Sequence, residues 1–218
     1  MNGSPLVDYY SARAGEYDEI YRRDDPTRQS ELGAIANEVA SALIGRNVLE
    51  IAFGTGYWTS VAARAAAGIV AIDESPVMLE HAALKMLPAD RVEFRLADAY
   101  DLNAVQGDFN AGLANFWLSH VPRKRLKSFI NQLHQRLGSG AVVFMADNVF
   151  VSGCGGDLVH YLGDEDTYKL RTVTNGQSYK IIKNYFTEVE LWTLFKSRAE
   201  NFRITFGQFY WWLSYATK

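Results

Sequence analysis

A glycine-containing turn after a short apolar segment is the part of the sequence best suited to bind a ligand. Residues 50–56 of this turn read EIAFGTG. Its two glycines let the backbone approach a bound molecule closely, and the N-terminus of a following helix favours a carboxylate or phosphate. We expect the ligand to contact the small and polar residues of this segment: Glu50, Ala52, Gly54, Thr55 and Gly56.

Two acidic residues close the next two apolar segments. Asp73 follows Gly56 by 17 residues, and Asp98 ends the segment after that. A carboxylate such as that of Asp73 can accept hydrogen bonds from both hydroxyls of a ribose diol. Asp98 is placed to accept a hydrogen bond from the amino group of an adenine. The pattern therefore predicts a site for a nucleoside-containing ligand.

Two other nucleotide-binding motifs fit the turn less well. A nicotinamide or flavin fingerprint would place a third glycine at position 59, where Thr59 stands. No Lys-Ser/Thr pair follows the glycines, so a loop that binds nucleoside triphosphates is excluded.

A possible general base follows the fourth apolar segment. Residues 115–120 read NFWLSH, and His120 is the best candidate because imidazole titrates near working pH. A histidine that is hydrogen-bonded to the backbone at a strand–helix turn is the alternative, and an amine acceptor that arrives deprotonated needs no base.

These residues must be positioned by strands that alternate with helices. Fully apolar strands in a βαβ series are typical of a parallel sheet that is covered on both faces. Ligands bind beyond the carboxyl ends of such strands, which is where the turn and the acids lie. The predicted strands are residues 48–52, 69–72, 92–96, 109–116 and 141–146.

The flanking segments are less regular. Tyrosines at 10, 17 and 21 recur at helical spacing near the N-terminus. Residues 148–166 are glycine-rich and acidic, and Asn175-Gly176 predicts a hairpin between strands 168–173 and 177–182. A capping box at 187–190 predicts a closing helix, and one aromatic strand is expected from Phe202 to Leu213.

The spacing of the glycine turn, Asp73 and Asp98 resembles that of class I S-adenosylmethionine-dependent methyltransferases of the small-molecule type, over about residues 8–147. The resemblance implies S-adenosylmethionine as cofactor. Gly54 and Gly56 would hold its methionine part, Asp73 its ribose, and Asp98 with Ala99 its adenine. Further implied cofactor contacts are Tyr10, Tyr17, Tyr21, Glu50, Ala52, Thr55, Trp58, Glu74, Met78, Asn115 and Phe116. The bulky Phe53 departs from the family, which often has a small residue there.

No metal site is expected. Asp147-Asn148 is similar to the metal-binding pair of magnesium-dependent catechol-type methyltransferases. Those enzymes also use an acid at the end of the fourth strand, and here Asn115 stands in that place. Removal of one carboxylate weakens a magnesium site.

The fold class implied is α/β. We expect a Rossmann-like, seven-stranded, mostly parallel sheet with an antiparallel last strand, helices on both faces, an N-terminal helical lid and a small β-hairpin cap. The chain would form a single methyltransferase domain. Its parts are the lid helices (1–46), the cofactor-binding core (47–147), the insertion or cap (148–186) and the closing helix and strand (187–218).

Composition restricts the partners. The 218 residues carry a net charge of −3 with 48% hydrophobic residues, which argues against global disorder and against a nucleic-acid-binding stripe. No segment approaches the ~18 consecutive apolar residues of a membrane span. A single cysteine, Cys154, fits a reducing cytoplasm. We expect a cytoplasmic monomer or homodimer.

The function predicted is transfer of a methyl group from S-adenosylmethionine to an oxygen or nitrogen of a small-molecule acceptor. One alternative is a regulatory or partner protein that binds the cofactor without catalysis. The other is a nicotinamide-dependent oxidoreductase, which Thr59 disfavours.

Overall fold

The computed structural model describes residues 5–174 and 176–218. The α-helices are α1 (Pro5–Arg13), α2 (Pro26–Leu43), α3 (Tyr57–Ala62), α4 (Pro76–Ala83), α5 (Leu126–Leu137) and α6 (Glu188–Phe195). The strands are β1 (Asn47–Ile51), β2 (Gly68–Asp73), β3 (Val92–Leu96), β4 (Ala111–Asn115), β5 (Val142–Asn148), β6 (Leu158–His160), β7 (Thr167–Thr172), β8 (Ser178–Ile182), β9 (Ala199–Phe206) and β10 (Tyr210–Thr217). Short 3₁₀ helices cover Ala14–Arg22, Leu102–Ala104, Leu118–His120 and Arg123–Arg125.

The central sheet has seven strands in the order β3-β2-β1-β4-β5-β10-β9. Strands β1 to β5 are parallel, whereas β10 is antiparallel to both β5 and β9. The predicted Rossmann-like sheet with an antiparallel last strand is therefore confirmed. The strand order reverses between β1 and β4, and this switch point opens a crevice at the carboxyl edge of the sheet.

Helices cover both faces of the sheet. Successive residues of a strand point to opposite faces, so Val48 joins the core under α2, α3 and α4 while Leu49 joins the core under α5 and α6. Strand β4 is buried along its whole length, as the apolar composition of the strand predicts. Among the described residues, no helix is long and apolar enough to cross a membrane.

The C-terminal prediction of one strand from Phe202 to Leu213 is wrong. This segment forms a hairpin of β9 and β10 with a turn between them. The carboxylate of Glu31, on α2, accepts hydrogen bonds from the backbone N–H groups of Gln208 (2.6 Å), Phe209 (3.0 Å) and Tyr210 (3.1 Å). A distant helix thus stabilises the turn, and the local sequence of aromatic residues contains no comparable signal.

The predicted hairpin cap is a three-stranded antiparallel sheet, β6-β7-β8. Strand β6 lies in the segment 148–166, for which no regular structure was expected, because its three residues are too few to show a period. The hairpin β7–β8 is confirmed, although Asn175 of its predicted turn lies outside the described residues.

The N-terminal segment is helical but not one continuous helix. Helix α1 ends at Arg13, and the chain continues as a 3₁₀ helix from Ala14 to Arg22. Tyr9 of α1 packs with Val173 and Ile181 of the cap, so the N-terminal segment and the cap meet above the sheet. Helix α3 ends at Ala62, and turns carry the chain on.

Candidate active site

A cavity of about 420 Å³ lies at the carboxyl edge of the sheet, beside the switch point. It is lined by residues that follow β1, β2, β3 and β4, and it is covered by the N-terminal segment and by Ile181 and Ile182 of the cap. Of the residues predicted to bind the cofactor or to act as base, Gly56 alone is absent from this lining. The others are brought together in it: Tyr10, Tyr17, Tyr21, Glu50, Ala52, Gly54, Thr55, Trp58, Asp73, Glu74, Met78, Asp98, Ala99, Asn115, Phe116 and His120.

The two glycines of the turn have different surroundings. Gly54 has φ +57°, and a Cβ added there would meet nothing within 4 Å, so this backbone is open to a ligand. Gly56 has φ +76°, and its Cβ would come within 3.2 Å of Ala82 on α4. Gly56 thus allows α3 to begin in close contact with α4, and its predicted contact with a cofactor stays a prediction.

Asp73 holds the glycine turn in place. Its Oδ2 accepts a hydrogen bond from the N–H of Gly54 and its Oδ1 one from the N–H of Ser75, both at 2.9 Å. Burial raises the pKa of Asp73, while these backbone donors act in the opposite direction. Each oxygen keeps a second lone pair, so the carboxylate can still accept hydrogen bonds from a ligand.

Several buried polar atoms around the cavity lack a hydrogen-bond partner among the described residues. They are Glu50 Oε2, both amide atoms of Asn115 and Trp117 Nε1. Burial, together with the smaller effect of the nearby charge of Asp73, raises the pKa of Glu50 to about 8. Buried polar groups are normally hydrogen-bonded, so these atoms indicate a polar ligand with both donors and acceptors.

An aromatic wall forms one side of the cavity. Trp58 stacks on Phe116 with ring centroids 5.9 Å apart, and its indole N–H donates to the hydroxyl of Tyr21 at 3.2 Å. Burial raises the pKa of Tyr17 to about 12, so its hydroxyl stays neutral at physiological pH. Phe116 has φ +59°, a strained conformation for a bulky residue, and such strain is concentrated at functional sites.

His120 is buried and hydrogen-bonded through both ring nitrogens. Its Nε2 lies 2.7 Å from the Tyr10 hydroxyl and its Nδ1 lies 2.7 Å from the carbonyl oxygen of Ile182. Because a carbonyl only accepts, Nδ1 carries the proton, and the neutral Nε2 accepts from Tyr10. Burial, and then the ammonium group of Lys183, lowers the pKa of His120 to about 3. The imidazole is therefore neutral and connects the N-terminal segment to the cap.

Several residues in or beside the cavity are not in the predicted set. Tyr100, two positions after Asp98, lines the cavity, and the guanidinium of Arg125 lies 3.4 Å from the centroid of its ring. The available signal in the sequence was that Tyr100 lies close to Asp98, which is a predicted adenine contact. Asp18 accepts hydrogen bonds from Thr55 and Lys85, and so holds the N-terminal segment on the glycine turn. Nothing local in the sequence indicates this contact.

Comparisons with known proteins find a methyltransferase domain in this chain. Residues 48–140 match the family model described as Methyltransferase domain. Over 128 residues the chain is 38% identical to a demethylmenaquinone methyltransferase of Clavibacter sepedonicus, which covers 54% of this chain and 51% of that protein. The chain thus spans about half the length of this curated relative.

Solved structures match over nearly the whole chain. A DhpI–SAH complex superposes with a TM-score of 0.78 at 26% identity, covering 98% of this chain and 95% of the other. The N-methyltransferase NodS of Bradyrhizobium japonicum, in complex with S-adenosyl-L-homocysteine, superposes with a TM-score of 0.67 at 13% identity, covering 98% and 99% of the two chains. Residues 48–140 therefore match a methyltransferase domain, and the described chain has the Rossmann-like fold of class I S-adenosylmethionine-dependent methyltransferases.

Proposed function

We propose that the protein transfers a methyl group from S-adenosylmethionine to an oxygen or nitrogen of a small-molecule acceptor. The observation that supports this most is the convergence on one cavity of an open glycine turn, two acids at strand ends and unpartnered buried polar atoms. The relatives described as complexes with S-adenosylhomocysteine or S-adenosylmethionine agree with this cofactor.

The polar residues of the cavity fit the parts of this cofactor. Glu50 and Asn115, whose buried atoms lack partners, would bind the amino-acid end together with the backbone of Gly54. Asp73 would accept hydrogen bonds from the ribose hydroxyls. Asp98 and Ala99 would lie against the adenine. When bound, the cofactor supplies an electrophilic methyl group on a sulfonium.

The aromatic wall and the N-terminal segment would exclude water and orient the acceptor. Alignment of two reactants can supply on the order of 7–11 kcal/mol of barrier reduction in favourable cases. The faces of Tyr21, Trp58 and Phe116 also suit a cation, because aromatic rings attract positive charge. In this proposal residues 1–46 form a lid, residues 148–186 a cap and residues 187–218 the closing part of a single domain.

Isothermal titration calorimetry with S-adenosylhomocysteine, with reduced nicotinamide cofactor as the control ligand, tests the proposal. We expect saturable binding of the first ligand alone, followed by methyl transfer to an acceptor found by screening. Binding of the nicotinamide cofactor, or the absence of any S-adenosylhomocysteine binding, would contradict the proposal. Binding without turnover of any acceptor would favour a regulatory role.

The role of His120 as general base stays a prediction. If His120 is the base, its removal should lower the turnover of a neutral hydroxyl acceptor by about 100-fold and leave the cofactor affinity unchanged. The matched pair of variants is His120→Gln and His134→Gln, because His134 also hydrogen-bonds a tyrosine, Tyr215, at 2.8 Å but does not line the cavity. Equal turnover by the two variants would return His120 to a structural role.

A further inference from the structure

A second cavity, of about 270 Å³, adjoins the first. The two cavities have five lining residues in common: Tyr10, Tyr17, Tyr21, Phe116 and His120. The remaining lining of the second cavity comes from the N-terminal segment, the start of α2, the end of β5, the cap and the β9–β10 turn. A group bound in the second cavity would lie beside the proposed cofactor site, with the shared aromatic residues between the two.

The second cavity concentrates positive charge in a protein whose net charge is −3. Glu16 is the acidic residue in its described lining. The basic residues that line it come from four separate parts of the chain: Arg13, Arg23, Arg28, Arg171 and Lys183. Low-dielectric walls strengthen the field of such charges, so this cavity attracts anions.

Three of these cations have a carboxylate partner. Arg13 pairs with Glu16 at 3.5 Å, and Arg28 pairs with Asp25 at 3.4 Å. Lys183 pairs with Asp147 at 2.9 Å. Arg23 and Arg171 form no ion pair with any described residue, which leaves two positive charges uncompensated.

Arg171, on β7, is the better placed of these two arginines to bind an anion. Its Nε is buried and has no hydrogen-bond partner among the described residues. The guanidinium packs so closely on Gly155 that a Cβ there would lie 2.6 Å from Nη1. A buried donor without a partner is costly, and a guanidinium pairs well with the two oxygens of a carboxylate or phosphate.

We propose that the second cavity binds an oxyanion of the methyl acceptor, so that the acceptor is a small anion carrying a phosphate-type or carboxylate group. The proposal rests on the proposed methyl transfer. An oxyanion oxygen that is itself methylated already carries the electron pair for the new O–C bond. The C–S bond of the donor breaks, its electrons stay on sulfur and no proton is removed, so this acceptor does not depend on a base.

The test measures binding of two probes, inorganic phosphate and propionate, to protein saturated with S-adenosylhomocysteine. The variant is Arg171→Gln, and the matched control is Arg203→Gln, which removes the same charge from an exposed position of β9 outside both cavities. Calorimetry gives the affinity for each probe, with 1-propanol as the neutral ligand. Circular dichroism checks that each variant is folded, and Arg28→Gln replaces Arg171→Gln if the latter unfolds.

We expect at least one anion to bind the wild-type protein. Its affinity for Arg171→Gln should be about tenfold lower, since one charged hydrogen bond is worth about this factor. Its affinity for Arg203→Gln should equal that of the wild type. Binding should also weaken as salt is raised. No binding of either anion, tighter binding of 1-propanol, or equal affinity of the two variants would overturn the proposal. Failure of the proposed function would instead be seen as loss of S-adenosylhomocysteine binding, which is measured separately.

Discussion

Asp73 has two tasks at the scale of single residues. Its carboxylate accepts hydrogen bonds from Gly54 and Ser75 and so shapes the turn, and in the proposed function it also accepts the ribose hydroxyls. Holding the turn supports ribose binding. Because the carboxylate already fixes the turn, the turn does not have to rearrange when the cofactor binds. Preorganised groups of this kind lower the cost of binding.

Substitution of Asp73 tests this arrangement. We expect Asp73→Ala to weaken S-adenosylhomocysteine binding by more than about tenfold, because a charged hydrogen-bond acceptor is lost and the turn is loosened. Asp90→Ala, in an exposed turn outside the cavity, is the control and should bind normally. Calorimetry measures both affinities, and unchanged affinity of Asp73→Ala would remove the ribose assignment.

At the scale of elements, a buried ion pair attaches the cap to the core. Lys183, directly after β8, donates to Asp147 of β5 at 2.9 Å and to Ser119 Oγ at 2.7 Å. Burial acts to raise the pKa of Asp147, but the adjacent Lys183 ammonium, together with lesser contributions that include the backbone N–H of Ser119, holds that pKa below its usual value. The contact lies beside His120, so loss of this pair would disturb the site as well as the cap.

Removal of the buried carboxylate should be costly. We expect Asp147→Asn to lower the free energy of unfolding by about 3 kcal/mol, because the buried Lys183 then lacks a counter-charge. The same amide substitution in the exposed pair of Glu93 and Arg95, Glu93→Gln, should cost less than about 1 kcal/mol. Urea unfolding of both variants measures the difference, and equal costs would show that the buried pair contributes little.

A second contact between elements forms the β9–β10 turn. Glu31→Ala removes the acceptor of three backbone N–H groups, and we expect a loss of about 2–3 kcal/mol in urea unfolding. Glu80→Ala, on the exposed side of α4, is the helical control and should stay within about 0.5 kcal/mol. A loss no larger than that of the control would mean that the turn forms without α2.

At the scale of the whole molecule, stability should depend on pH through Glu50. Its pKa is about 8 in the folded protein against an ordinary value of 4.5, so the folded state keeps a proton that the unfolded chain releases. Stability is therefore lost as pH rises through this window. The lowered pKa values of His120 and His134 act in the opposite direction below 6.5, because there the unfolded chain takes up protons.

The range from pH 6.5 to 8 lies above the ordinary pKa of histidine and below the raised pKa of Glu50. We expect the free energy of unfolding of the wild type to fall across this range, and Glu50→Gln to remove the decline and to be more stable by on the order of 3 kcal/mol at pH 7. Urea unfolding at several pH values measures this. If the free energy of unfolding of Glu50→Gln falls with pH as steeply as that of the wild type, other groups cause the decline. Glu93→Gln is the control and should keep the wild-type pH dependence.

The overall architecture was predictable because its signals are local. Apolar strands, the helices between them and the acids that follow Ile72 and Ala97 are readable within short windows, and parallel strands bring their carboxyl ends to one edge. The break in the N-terminal segment, where α1 gives way to a 3₁₀ helix at Ala14, has no local signal of this kind. Strand β6 was missed because its three residues are too few to show a period, and the β9–β10 turn was missed because Glu31 of the distant α2 stabilises it.

The sequence alone determined the parallel strands β1 to β5, the glycine turn and the acids of the proposed cofactor site, because each follows from the order of residues along successive βαβ units. Only the tertiary structure decided the state of His120, whose two partners, Tyr10 and Ile182, lie in other segments. It also decided the charge of the second cavity. Folding collects Arg13, Arg171 and other distant cations around this cavity, although the chain as a whole is acidic.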